Sequence, residues 1–242
     1  NPLFFSAQTE ANKSYIIQGH MDTKLSQDGI DQAKQLSKAI DQSKYNLIYS
    51  SDLSRAYDTC CELVDKKLIK TDLRLRERSL GICEGKKVED LKSMAVQAGV
   101  SLKNLSTFTP PEGETPEQVG ARIKDFYKSI INQTESGWNV LVVTHGGIVR
   151  ETLKYFKNEL NCDFSSFKDK NPLVITPNTG LCEIKLYHSN GQFKSAECTR
   201  LHDISHLDNK TKSIVLSEKQ INDNSNDRDN NIGNETDDRQ HI

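Results

Sequence analysis

No run of apolar residues in this 242-residue chain approaches the roughly 18 positions a membrane-spanning helix needs, so no such helix is expected. Charge of one sign is also missing. Thirty-two basic side chains against 34 acidic ones leave a formal charge of −2, which argues against a general nucleic-acid binder. The six cysteines (Cys60, Cys61, Cys83, Cys162, Cys182 and Cys198) form no CxxC pair, and several stand in apolar surroundings. Neither a disulfide framework nor a cysteine metal site is expected, and the location expected is the reducing cytoplasm. The chain begins with neither a signal-peptide pattern nor a methionine, so its first residue is not expected to be the true start. Without a secretion signal, the five Asn-x-Ser/Thr sequons, at Asn12, Asn104, Asn132, Asn209 and Asn234, read as chance in an asparagine-rich chain. Apolar residues are scarce overall, at 35%, and much of the deficit lies at the C-terminal end. The expectation is one domain over residues 1–207 and a disordered polar tail over 208–242.

What is present begins with Val140-Leu141-Val142-Val143-Thr144-His145-Gly146-Gly147. The β-forming run reads as a buried parallel strand, and Ile148, Val149, Thr152, Leu153 and Phe156 continue it as a helix. A strand that turns into a helix through glycine places His145 at the carboxyl edge of a sheet, where open α/β sheets bind ligands, beside N–H groups that suit an anion. Helices are expected over 27–43 (Ile30, Ala33, Leu36 and Ile40 inward), 52–64, 88–98 and from Thr115, where Thr115-Pro116-Glu117-Gln118 is a capping box with proline in the first turn. Strands are expected over 45–50, 68–73, 140–144 and, nearer an edge, 181–187. The alternation implies a mainly parallel sheet covered by helices on both faces, a three-layer α/β/α domain.

Two further segments carry chemistry. In Ser50-Ser51-Asp52-Leu53-Ser54-Arg55, Arg55 falls in the first turn of a helix, against the helix-dipole preference. A bound phosphate would compensate it, and so would an ion pair with Asp52 or Asp58. In Leu75-Arg76-Glu77-Arg78-Ser79-Leu80-Gly81, Glu77 lies between two arginines. It reads either as part of a salt-bridge network or as a general acid beside a phosphate site.

Together these segments resemble the histidine phosphatase (phosphoglycerate mutase-like) superfamily. Ile16-Ile17-Gln18-Gly19, Leu25-Ser26, Phe108-Thr109-Pro110-Pro111-Glu112-Gly113-Glu114-Thr115 and Ile175-Thr176-Pro177-Asn178-Thr179-Gly180 resemble, more narrowly, its TIGAR-type fructose-2,6-bisphosphatase branch. The resemblance covers roughly residues 9–200 and implies the three-layer α/β/α phosphoglycerate mutase-like fold with a helical insertion near 87–135. It implies hydrolysis of a small phosphorylated metabolite, fructose 2,6-bisphosphate first among them, through a phosphohistidine. His145 would stabilise the transferring phosphoryl group, Arg55 would clamp its oxygens, and Glu77 would act as acid and then base. Asn12, Gln18, Gly19, Arg55 and Gly146 would bind substrate. No cofactor, metal, nucleic acid or membrane is implied, and the expected state is a monomer. A phosphoglycerate mutase remains an alternative.

One motif departs from the family. Alignment through Thr9, Asn12 and Gln18 puts Phe5-Ser6-Ala7 where Arg-His-Gly belongs, so Ser6 occupies the nucleophile's position, and the strand before it is almost absent. Serine without an adjacent base is a poor nucleophile at neutral pH. Two explanations stand: an inactive pseudophosphatase that binds or regulates, or a faulty start. Phe4 to Gln8 back-translates to a pyrimidine-rich tract ending in CAG, the form of an intron's 3′ end. The faulty start is the expectation.

Overall fold

The computed structural model of the chain describes residues 2–5, 7–189 and 192–217. Six strands form one sheet: β1 (Pro2–Phe5), β2 (Leu47–Ser50), β3 (Ile69–Thr71), β4 (Val140–Thr144), β5 (Leu181–Ser189) and β6 (Gln192–Asp203). Their order is β3-β2-β4-β1-β5-β6. β4 runs parallel to β1 and β2, and β2 parallel to β3, while β5 and β6 are antiparallel additions. β1 is short, as expected, yet it holds a central place, paired with β4 on one side and β5 on the other.

β4 shows why the sheet is covered on both faces. All five of its residues are buried. Successive side chains of a strand point to opposite faces. Val140 and Val142 accordingly join a core with Ile123, Phe126 and Ile130 of α5 (Pro116–Gln133) and Leu153 and Phe156 of α6 (Gly146–Asn158). Leu141 and Val143 join a second core with Leu36 of α2 (Gln27–Ser37) and Ala56, Cys60 and Leu63 of α3 (Ser54–Leu63). A four-residue α1 (Glu10–Lys13) follows β1, and α4 (Val88–Gln97) and a 3₁₀ segment (Leu102–Thr107) precede α5 in the insertion. The capping box at Thr115 forms, with Thr115 Oγ1 accepting from Gln118 N and Gln118 Oε1 from Thr115 N.

Three expectations change. The first helix ends at Ser37 rather than 43, and its buried residues are Gly29, Gln32, Ala33 and Leu36, while Ile30 is only partly buried and Ile40, beyond the helix end, packs partly buried against the second core. α2 packs on the backbone of Gln8: a side chain at Gly29 would collide with the Gln8 carbonyl, and Gln32 Oε1 accepts the Gln8 N–H at 3.1 Å. β6 was not expected at all. Only Ala196, Cys198 and Leu201 of its apolar residues are buried, too few and too irregular to mark a strand. Residues 209–217, placed in the disordered tail, are helical, with Val215 buried and Thr211 bonded to Gln35 of α2. The rest of that tail lies outside the described residues. Among the described residues no helix is long and apolar enough to cross a membrane.

Candidate active site

β1, β2 and β4 end at one edge. Phe5 is opposite Thr144, and Ser50 opposite Val143. His145 follows β4 as the N-cap residue of α6 but makes no side-chain cap bond. Its Nε2 lies 2.8 Å from Ser51 Oγ, just past the end of β2, and the residue is 2% exposed. Burial, then the nearby charges of Arg55, Arg122 and His20, hold this imidazole well below the ordinary histidine pKa. It is therefore neutral at pH 7.

Arg55 is the second residue of α3 and is 3% exposed. The carboxylate that satisfies the start of that helix is neither Asp52 nor Asp58. Asp22 accepts from Ser54 N at 2.8 Å and from Ser54 Oγ at 2.6 Å. Arg55 Nη2 donates to the Gly19 carbonyl at 2.8 Å and Nη1 to that of Met21 at 3.1 Å, which fastens the loop after β1 across the sheet edge. Burial lowers the pKa of the guanidinium, and the carboxylates of Glu77, Asp22 and Glu84 oppose that shift.

Glu77 is not the centre of an ion-pair network. Arg76 turns to Asp52, at 2.8 Å from Nε. Arg78 donates to the carbonyls of Glu114, Ser106 and Phe108. The Glu77 carboxylate instead accepts backbone N–H groups: Gly147 N at 3.1 Å on Oε2 and Arg78 N at 2.9 Å on Oε1. Glu77 thus lies against the N-terminus of the helix that His145 starts. A side chain at Gly147 would meet the carboxylate, which would have to shift to make room.

Sequence reasoning missed the group that holds Glu77 in place. Arg122 of α5 donates to the carbonyls of Arg74 (2.6 Å), Arg76 (2.7 Å) and Glu77 (3.1 Å), and pairs with Glu114 through Nε and Nη2. His20 Nε2 lies 2.8 Å from the Glu77 carbonyl. A signal existed: Arg122 falls on the inward stripe of α5 between Val119 and Phe126, where an unpaired cation would be costly.

Of the other expected residues, Gly19 and Gly146 are buried at this edge. Asn12 is exposed, and its Oδ1 accepts from Thr9 N and Oγ1. Gln18 Oε1 accepts from Thr9 and Thr23 hydroxyls. These two shape the loop through Thr9 rather than contacting His145, Arg55 or Glu77. Ser6 lies outside the described residues. A cavity of about 750 Å³ begins at Glu77, Gly146 and Gly147.

A neutral imidazole, a buried guanidinium, a carboxylate and a helix N-terminus at one sheet edge suit the binding and transfer of a phosphoryl group. The sequence profile of the histidine phosphatase superfamily (branch 1) matches residues 6–199. The fructose-2,6-bisphosphatase TIGAR of Mus musculus is 31% identical over 257 residues, which cover 85% of this chain and 94% of that protein. Glucosyl-3-phosphoglycerate phosphatase of Mycobacterium tuberculosis is 32% identical over 152 residues, 59% of this chain and 68% of that one. The fold is that of the phosphoglycerate mutase from Bacillus anthracis, with a TM-score of 0.67 at 23% identity over 84% of this chain and 92% of that structure.

Proposed function

The chain belongs to the histidine phosphatase superfamily, and from that premise we propose that it is a phosphatase whose site takes a small phosphorylated metabolite, fructose 2,6-bisphosphate first. The observation that carries the assignment of residues is the Glu77 carboxylate bonded to Gly147 N–H, on the helix that His145 starts and beside buried Arg55. Arg55 clamps phosphoryl oxygens. His145, uncharged, hydrogen-bonds the transferring group as charge builds on it. Glu77 gives a proton to the leaving alkoxide. Support for the bisphosphate comes from the resemblance of Phe108 to Thr115 and from the mouse relative.

Covalent transfer requires an imidazole at the end of β1. Its nitrogen attacks phosphorus in line, forming the N–P bond as the P–O bond to the alcohol breaks, and Glu77 protonates the departing oxygen. Water then attacks phosphorus, Glu77 takes its proton, and the N–P bond breaks. Ser6 supplies no imidazole, so the chain with Phe5-Ser6-Ala7 binds the phosphate ester without efficient turnover, and restoring Arg-His-Gly there restores the hydrolase. The test is the triple variant Phe5→Arg, Ser6→His, Ala7→Gly assayed against fructose 2,6-bisphosphate and 3-phosphoglycerate. Phosphate release rising by orders of magnitude, and lost again with His145→Ala, is expected. Turnover indifferent to His145→Ala contradicts the role given to that residue, and isomerisation of 3-phosphoglycerate without phosphate release contradicts the hydrolase.

A further inference from the structure

The turn that leads into β5 is strained, and a histidine from beyond β6 holds it. Gly180 N–H donates to the Pro177 carbonyl at 2.8 Å, closing a four-residue turn. Thr179, the third residue of that turn, has φ +57°, a conformation that suits glycine or asparagine and that β-branched residues rarely adopt. Its hydroxyl, on a buried side chain, donates to the Asn178 carbonyl at 2.7 Å. The hydroxyl oxygen therefore meets His206 as an acceptor, 3.2 Å from Nε2, which places the ring proton on Nε2. The other ring nitrogen, Nδ1, is buried with no hydrogen-bond partner among the described residues. Burial lowers the His206 pKa to about 4, against Asp203 and with Lys212 and Arg200, so the imidazole makes this bond uncharged at pH 7. His206 is itself fixed through its neighbours: Leu207 is buried, and Asp208 N–H donates to Gln35 Oε1 of α2 at 2.7 Å.

The place of the turn gives the strain a use. Leu181, directly after the turn, pairs with Phe4 of β1, and Phe5 pairs with Thr144, the residue before His145. Strained backbone persists where the surrounding structure over-determines it, and such places cluster at functional sites. We propose that His206 is a positioning residue: through Thr179 it holds the turn before β5, and with it the end of β1, in the place relative to His145 that phosphoryl transfer needs. The proposal rests on the reading above that an imidazole at the end of β1 takes the phosphoryl group. β1 has only four residues, so its end depends on holds from outside the strand. Gln32 of α2 takes the Gln8 N–H just after β1, and His206 secures the start of β5 beside it.

The test compares His206→Ala with Thr179→Ala, which cuts the same bond from its other end, and with His206→Gln, whose amide N–H replaces the imidazole N–H. Each variant is checked for native circular dichroism. Hydrogen exchange in the chain with Phe5-Ser6-Ala7 reads the hold itself. The amides of Gly180, Leu181 and Phe4 are expected to exchange at least about tenfold faster in each alanine variant, with those of β2 unchanged. In the triple variant Phe5→Arg, Ser6→His, Ala7→Gly, kcat for phosphate release is expected to fall about tenfold or more, with KM within about twofold. His206→Gln restores most of both, and the two alanines together lose no more than either alone. Unchanged exchange overturns the proposal. So does a kcat equal to the parent's, a loss that His206→Gln fails to restore, or losses that multiply in the double variant. If the triple variant with His206 intact releases no phosphate, the reading above falls, and exchange alone then decides whether His206 holds the turn.

Discussion

Gly147 has little room for a side chain while Glu77 keeps its place. Its N–H is bonded to Glu77, and its missing side chain is the space the carboxylate occupies. Gly147→Ala, made in the motif-bearing triple variant, is expected to displace Glu77 by a fraction of its contact distance and to lower kcat by about 10²-fold while the fold persists. A kcat within about twofold of its parent would show that Glu77 needs no such alignment. The positions of His145 and Arg55 at the sheet edge were legible because each stands where a strand gives way to a helix, whereas Glu77 lies in irregular chain between two 3₁₀ turns. Their partners were not legible. That Asp22 would satisfy the start of α3, or that Arg122 would bind three carbonyls of the Glu77 segment, depends on chain separations that no local pattern encodes.

Elements follow the same division. Periodicity places α3, α5, α6 and β4 closely, since burial on one face or both writes a regular pattern. It finds Ala33 and Leu36 on the inner face of α2 but misses Gln32 there, because that contact is polar: Gln32 reaches the Gln8 N–H shortly after the end of β1. Gln32→Leu would remove that buried hydrogen bond at a cost of about 1–3 kcal/mol, read as a lower urea midpoint at unchanged slope. A midpoint equal to the parent's would mean that α2 docks through Ala33 and Leu36 alone. The missed β6 illustrates the reverse limit, a strand formed by pairing with β5 more than by its own side chains.

At the scale of the whole molecule, two histidines make stability depend on pH. Burial keeps His145 neutral in the fold, and burial also lowers His206 to about 4. The unfolded chain takes up both protons near pH 6.5, so below that pH it binds protons the fold does not, and stability falls as pH falls. For His145 the slope approaches about 1.4 kcal/mol per pH unit. Melting temperature is expected to drop between pH 7 and 5.5, and less steeply in His206→Gln. An identical slope in that variant would show that His206 titrates freely in the fold.

The central claim is that this sheet edge, given an imidazole at the end of β1, transfers phosphoryl groups through that imidazole with Glu77 as proton carrier. The most direct measurement is a rapid-quench reaction of the triple variant Phe5→Arg, Ser6→His, Ala7→Gly with ³²P-labelled fructose 2,6-bisphosphate, alone and with Glu77→Gln. An acid-labile, base-stable label on the protein is expected, persisting longer with Glu77→Gln because water then lacks its base. No label, or an acid-stable one equal in the chain with Phe5-Ser6-Ala7, would contradict the account.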